Sequence, residues 1–132
     1  MTQVTSGISA IRLLLFLEGS AFALASVIHS GRLVLGYAHL QARNAEAVIA
    51  MVLLGAWVLT WIRPRWFKRT SLYAQAFALA GTMVGVFTIL VGVGPRTTPD
   101  IFYHIAIGLL LAWGLRFSSR LPSTAFIHPN DR

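Results

Sequence analysis

The residues of this 132-residue chain best suited to chemistry are ionisable side chains at or near the ends of its hydrophobic runs. They offer imidazole, carboxylate, guanidinium and phenol groups, which can bind a polar headgroup, hold a metal or move protons. Their concentration near one predicted membrane boundary makes them a candidate ligand-binding site. The set comprises His29, Glu46, Arg96, Asp100, Tyr103 and His104, with His39 in a neighbouring loop and Glu18 lying deeper below His29.

Several chemistries fit these residue types. The simplest interpretation is that the groups have no function beyond lying at the membrane interface, where they are solvated or paired with each other. A b-type haem held by His29 and His104 from two helices is a second interpretation. A metal ion bound by both histidines with Glu46 or Asp100 is a third, although no spacing motif supports either histidine as a ligand.

A quinone or other lipid-like molecule is the interpretation that the residue types favour among the ligand-binding ones. His104 and Tyr103 would hydrogen-bond a carbonyl, and Glu18 or His29 would pass protons. Asp100 lies four residues before His104, so both share a helical face and the acid can orient the imidazole.

Four hydrophobic runs position these groups, at about 8–30, 45–62, 72–93 and 101–117. Each is long enough to cross a hydrocarbon layer of about 30 Å as a helix. The composition agrees, since 56% of the residues are hydrophobic and only 11% are charged. The sequence therefore predicts one all-α membrane domain over 1–132, a four-helix bundle that ends in a cytoplasmic tail at 118–132.

The placement of basic residues predicts the orientation. Eight of the eleven Lys and Arg residues fall on one side of the four runs: Arg12, Arg63, Arg65, Lys68, Arg69, Arg116, Arg120 and Arg132. The positive-inside rule makes that side the cytoplasm, so both termini are predicted to be cytoplasmic. The basic and aromatic segment Arg63 to Arg69 is predicted to meet anionic lipid headgroups, and the net charge of +7 is not taken as a sign of nucleic-acid binding.

Glu18 is the least expected residue, because it lies about halfway along the first run. A charged carboxylate there costs a few kcal/mol or more, so it must be neutral, paired or turned inside the bundle. Helical spacing predicts one inward-facing stripe of Glu18, Ala21, Phe22, Ala25, His29 and Arg32.

The third run and the loop after it contain small residues in a helical pattern. Gly81 and Gly85 form a GxxxG motif that Thr88 and Gly92 extend, which predicts a surface for close helix packing within the chain or between chains. Thr97 and Asp100 fit a capping box at the start of the fourth helix.

The sequence motifs of several function classes are absent from this chain. Without cysteine there are no disulfides or thiolate metal sites, and no nucleophile elbow or phosphate-binding loop is present. The apolar N-terminal run is too long for a signal-peptide core, which predicts that it is retained as a span.

In size and topology the whole chain resembles small four-span bacterial inner-membrane proteins, including the DoxX-like group. The shared features are the Arg12-Leu13-Leu14 start of the first span and the glycine-rich spans. The resemblance implies a link to redox or quinone complexes and gives no residue a role. We therefore expect a protein that binds a quinone-like ligand or haem at its outer face, within a homo-oligomer or larger complex. The alternatives are a structural subunit without ligand and an oligomeric transporter.

Overall fold

The computed structural model describes the backbone from Thr2 to Leu121 and the side chains from Ser6 to Leu121. This part of the chain is helical and has no strand. Its four long helices are α1 (Thr2–His29), α2 (Leu40–Ile62), α3 (Phe67–Val91) and α4 (Thr98–Arg120), and a 3₁₀ turn (Pro64–Trp66) leads into α3. The predicted four-helix, all-α architecture is confirmed.

The helices run alternately up and down, so two ends of the bundle can be named. At the His29 end α1 and α3 finish and α2 and α4 begin. The opposite end holds most of the arginines in the described residues, and we call it the basic end. The α1–α2 and α3–α4 pairs pack closely, whereas α1 and α4 make a much looser seam.

Each helix is long and apolar enough to cross a membrane, over Ser6–His29, Leu40–Ile62, Pro64–Val91 and Thr98–Arg120. Large apolar side chains such as Met51, Phe87 and Leu109 are mostly exposed on the outside of the bundle. A soluble bundle covers that surface with charged residues, so the pattern indicates a multi-pass membrane protein.

Capping residues explain where the helices begin and end. The ring of His39 accepts a hydrogen bond from the Ala42 amide, and this N-cap starts α2 five residues before the predicted position. Gly92 ends α3 in the left-handed conformation, with φ at 86°. Thr97 and Asp100 form the predicted capping box at the start of α4.

The starts of α1, α3 and α4 and the end of α4 also lie beyond the hydrophobic runs, because helix geometry continues past the apolar residues, whereas α1 and α3 end one and two residues before the predicted bounds. α3 begins at Phe67 instead of 72, and α4 covers Thr98–Arg120 instead of 101–117. Residues 118–120 of the predicted tail therefore belong to α4, while 122–132 lie outside the described residues.

Candidate functional site

His29 lies between two carboxylates inside the bundle. Its Nδ1 is 2.7 Å from Glu46 Oε2 and its Nε2 is 3.2 Å from Asp100 Oδ1. All three side chains are buried, and they come from α1, α2 and α4. We call these three residues the His29 cluster.

The local structure of α4 holds Asp100 in place. Its Oδ2 accepts hydrogen bonds from the backbone amide and the hydroxyl of Thr97, which leaves Oδ1 for His29. Only a doubly protonated imidazole donates at both nitrogens, so a cationic His29 satisfies both carboxylates at once. The cluster thus ties three helices together at the His29 end.

These contacts bear on the haem and metal hypotheses. Both ring nitrogens of His29 already face carboxylate oxygens, so His29 has no free nitrogen for an iron. Within residues 6–121, no three His, Asp and Glu side chains converge in a way that could hold a metal ion. The geometry therefore gives neither hypothesis an open ligand at His29.

A cavity of about 230 Å³ lies between α2, α3 and the start of α4. We call it the His104 cavity. Apolar atoms dominate its wall, and its few polar groups include the side chains of His39, Glu46, Thr88 and His104. Glu46 Oε1 is buried and has no hydrogen-bond partner. An apolar cavity with a few convergent polar groups is the usual form of a small-molecule site.

The hydrogen bonds of His104 define what it offers to this cavity. Its Nδ1 is 2.7 Å from the Asp100 carbonyl, and a carbonyl can only accept, so Nδ1 carries the proton. In the neutral ring Nε2 is then an acceptor, and no protein group in the described chain bonds it. Nε2 lies against Gly85, where an added Cβ would come within 2.8 Å.

His39 closes the cavity at the His29 end. Its Nδ1 accepts from the Ala42 amide, so Nε2 carries the proton and donates to the Val93 carbonyl at 3.2 Å. This bond joins the loop before α2 to the loop after α3. His39 and Val93 both line the cavity, so the bond forms part of its cover.

Tyr103 faces a different space from His104. It lines a second cavity of about 330 Å³ at the loose α1–α4 seam, together with His29 and Asp100. Its ring packs edge-on against Phe22, and its hydroxyl is buried without a partner. Tyr103 and His104 thus line different cavities, although their rings meet edge-on with centroids 5.4 Å apart. That both hold one carbonyl stays a prediction.

Arg96 is engaged in ending α3. Its guanidinium donates to the carbonyls of Ile89 and Leu90 and lies beside Gly92. The Ile89 carbonyl also accepts from the Gly92 amide, and a cation beside the last carbonyls of a helix is favourable. The sequence analysis grouped Arg96 with the residues of the His29 cluster, but in the structure its guanidinium bonds the end of α3 instead.

The small residues of α3 lie against neighbours within the chain. An added Cβ on Gly81 would come within 2.7 Å of Ile49, and one on Gly85 would meet His104. The Thr88 hydroxyl donates a hydrogen bond to the Gly85 carbonyl, and Gly92 caps the helix. Gly81 and Gly85 therefore bring α2 and α4 close to α3.

Glu18 is fully buried and turned toward the other helices, as the stripe predicted. Its Oε2 accepts a bond from Gln75 Nε2 at 3.3 Å, and Gln75 Oε1 accepts from the Ser118 hydroxyl at 2.9 Å. We call Glu18, Gln75 and Ser118 the Glu18 cluster. The stripe ends at His29, because Arg32 lies beyond the end of α1 and is exposed.

Sequence reasoning missed two features of this region. Ser118 was assigned to the tail, and Gly114 was not singled out, although its absent side chain makes room for Gln75 and Glu18. The signal that could have pointed here is Gln75, a lone amide in an apolar run. It gave the residue but not its partners.

Comparison of the chain with protein-family models, with curated proteins and with solved structures gave no match.

Proposed function

We propose that this chain is a four-span protein of the bacterial inner membrane that binds a hydrophobic, hydroxyl-bearing ring compound, such as a quinol, in the His104 cavity. The observation that supports this most is the unpartnered acceptor Nε2 of His104, a residue that lines an apolar cavity. A hydroxyl of the ligand would donate to it. Glu46 Oε1, also without a partner, would accept a second hydroxyl or a water.

The size of the cavity favours a single ring. An apolar cavity of about 150 Å³ holds benzene, so about 230 Å³ suits one substituted ring and not a haem macrocycle. Val84 on the wall is largely exposed on the outer surface of α3. An apolar tail attached to the ring would leave the cavity there and enter the lipid.

The orientation that we propose places both termini and the basic end at the cytoplasm. Arg63, Arg65 and Arg69 are exposed there beside Trp61 and Trp66, a combination suited to anionic headgroups. The His104 cavity then opens toward the periplasmic leaflet.

Orientation is measured by thiol labelling, since the chain has no native cysteine. Leu35→Cys, in the exposed loop at the His29 end, should react with an impermeant maleimide added to whole cells. Ser119→Cys, exposed at the basic end, should react only after the membrane is opened. The reverse pattern would contradict the proposed orientation.

Ligand binding is tested with purified protein and a short-chain ubiquinol as the probe. His104→Leu keeps the volume of the side chain and removes the acceptor, and it should weaken binding about tenfold, the equivalent of one hydrogen bond of about 1.4 kcal/mol. Ile105→Ala, on the lipid-facing side of the same helix, is the matched control and should bind normally. Equal binding by wild type and His104→Leu would overturn the proposal.

An assembly subunit without ligand remains the competing function, and the loose α1–α4 seam is the feature that favours it. An organic extract of the purified protein, analysed by mass spectrometry, separates the two. A stoichiometric quinone that His104→Leu loses supports ligand binding. Its absence, together with co-purification of an intact membrane complex, supports the subunit. The DoxX-like resemblance stays a prediction in either case.

A further inference from the structure

Glu18 differs from the other acids in the described part of the chain because no cationic group faces it. The two ion pairs in this part both belong to His29. Glu18 has no exposed surface and lies near the middle of the span Ser6–His29. Its Oε1 is buried and has no hydrogen-bond partner.

The bundle leaves room for this side chain. An added Cβ on Gly114 would collide with Gln75 Nε2 and lie 3.0 Å from Glu18 Oε1. A residue larger than glycine would therefore displace the pair. The unpartnered oxygen thus lies against bare backbone of α4, in a space that three helices shape.

The groups around Glu18 are neutral on every side. α3 presents Gln75, and α4 presents Gly114 and Ser118. On the α2 side, Leu53 and Leu54 pack against the neighbouring Gly19.

The nearest cation on the same helix is Arg12, about 9 Å along the axis. It donates to the Thr60 carbonyl and stacks on Trp61, away from Glu18. An ionised Glu18 would therefore be a buried charge without a counter-ion, which proteins avoid by neutralising the group.

Polar side chains connect Glu18 to one end of the bundle only. Ser118 and Gln75 lie on its basic-end side, and Ser71, one turn before Gln75, is buried with an unpartnered hydroxyl. Toward His29 the buried side chains Phe22, Ala78, Ile107 and Leu111 are apolar, and the buried hydroxyl of Thr82 on that side already donates to the Ala78 carbonyl. A proton can thus approach from the basic end but meets an apolar layer toward His29.

From this arrangement we infer that Glu18 is a proton-binding site at the centre of the bundle, loaded and unloaded from the basic end. The carboxylate takes one proton from water at that end and holds it as an O–H bond on Oε1. Oε2 keeps its bond from Gln75, and release returns the same proton to water. The inference is independent of the ligand proposed for the His104 cavity, because the apolar layer separates the two.

Infrared spectroscopy of the protein in lipid tests the inference directly. A neutral carboxylic acid gives a carbonyl stretching band that a carboxylate lacks, and transfer to heavy water shifts that band if the proton exchanges. We expect one such band that Glu18→Gln removes and that heavy water shifts. Gln75→Leu should move its frequency and slow its shift in heavy water, since it removes the donor to Oε2 and a link to the basic end.

Ser119→Ala, an exposed change near the same end, is the control and should leave the band and its exchange unchanged. Circular dichroism and gel filtration confirm that each variant is folded. If no band disappears in folded Glu18→Gln, Glu18 is ionised and the inference is wrong. If the band is present but heavy water leaves it unshifted over hours, the proton is sealed in and exchange from the basic end is disproved.

Discussion

The His29 cluster and the Glu18 cluster bury acidic groups in the same bundle by two different means. Near the helix ends, Glu46 and Asp100 lie on either side of an imidazole that can become a cation. Near the middle of the bundle, Glu18 meets only an amide. The comparison teaches that charge pairing is used close to the membrane boundary, and neutral hydrogen bonding is used where water is farthest away.

The two clusters also differ in what holds them. In the His29 cluster the capping box fixes Asp100, so the site depends on the start of α4. In the Glu18 cluster close packing at Gly114 fixes the pair. A substitution that disturbs the capping box or the close packing should therefore leave the other cluster intact. Four substitutions test this expectation.

The largest effect is expected from His29→Ala. It removes the imidazole that the buried Glu46 and Asp100 share, and if His29 is a cation this breaks a buried ion pair, which should cost about 3 to 5 kcal/mol of unfolding free energy. Reversible unfolding in mixed micelles measures the loss. Val27→Ala, two residues earlier on the lipid-facing side of α1, is the control and should cost far less. A loss below about 1 kcal/mol for His29→Ala would mean that the acids are neutral and the ion pairs unimportant.

Gly114→Ala should destabilise the Glu18 cluster by about 1 to 3 kcal/mol, because the new methyl group overpacks the space of Gln75 and Glu18. Gly55→Ala is a matched control, since an added Cβ there meets nothing within 4 Å. It should be neutral or slightly stabilising, as alanine is the better helix former. Equal effects of the two changes would show that the bundle relaxes easily around Glu18.

Thr97→Ala should cost about 1 kcal/mol, the usual value for a lost N-cap. It also removes one hydrogen bond to Asp100 Oδ2, so amide exchange should rise in the first turn of α4. Thr98→Ala, exposed and one residue later, is the control. Unchanged exchange in Thr97→Ala would show that the bonds from His29 and from the backbone amide of residue 97 are enough to hold Asp100.

The fold was largely predictable because lipid as solvent imposes simple rules. Helix number and the inward direction of Glu18 followed from the length of the apolar runs and the cost of a buried acid. The Thr97–Asp100 capping box also followed, since it is local in sequence. The start of α2 did not, because an N-cap formed by His39 is not among the usual capping residues.

The site was predictable only as a set of residue types. Sequence placed His29, Glu46, Asp100 and His104 at one end but could not show that both nitrogens of His29 face carboxylates. Such pairing depends on the rotation of three helices about their axes. Arg96 bonds the end of α3 because of the conformation of the loop, which the spacing of residues in the sequence does not reveal.

The smallest effect is expected from Glu18→Gln, below about 1 kcal/mol. If Glu18 is neutral, glutamine keeps an oxygen for Gln75 and changes no charge, so little is lost. Glu46→Gln is the matched comparison, because it removes an anion from a charge-assisted bond and should cost about 1.5 to 3 kcal/mol. Unfolding of both variants in the same micelles, at the same pH, tests the contrast between the clusters. If the two substitutions cost the same, Glu18 and Glu46 share one charge state, and the distinction between a paired boundary and a neutral centre fails.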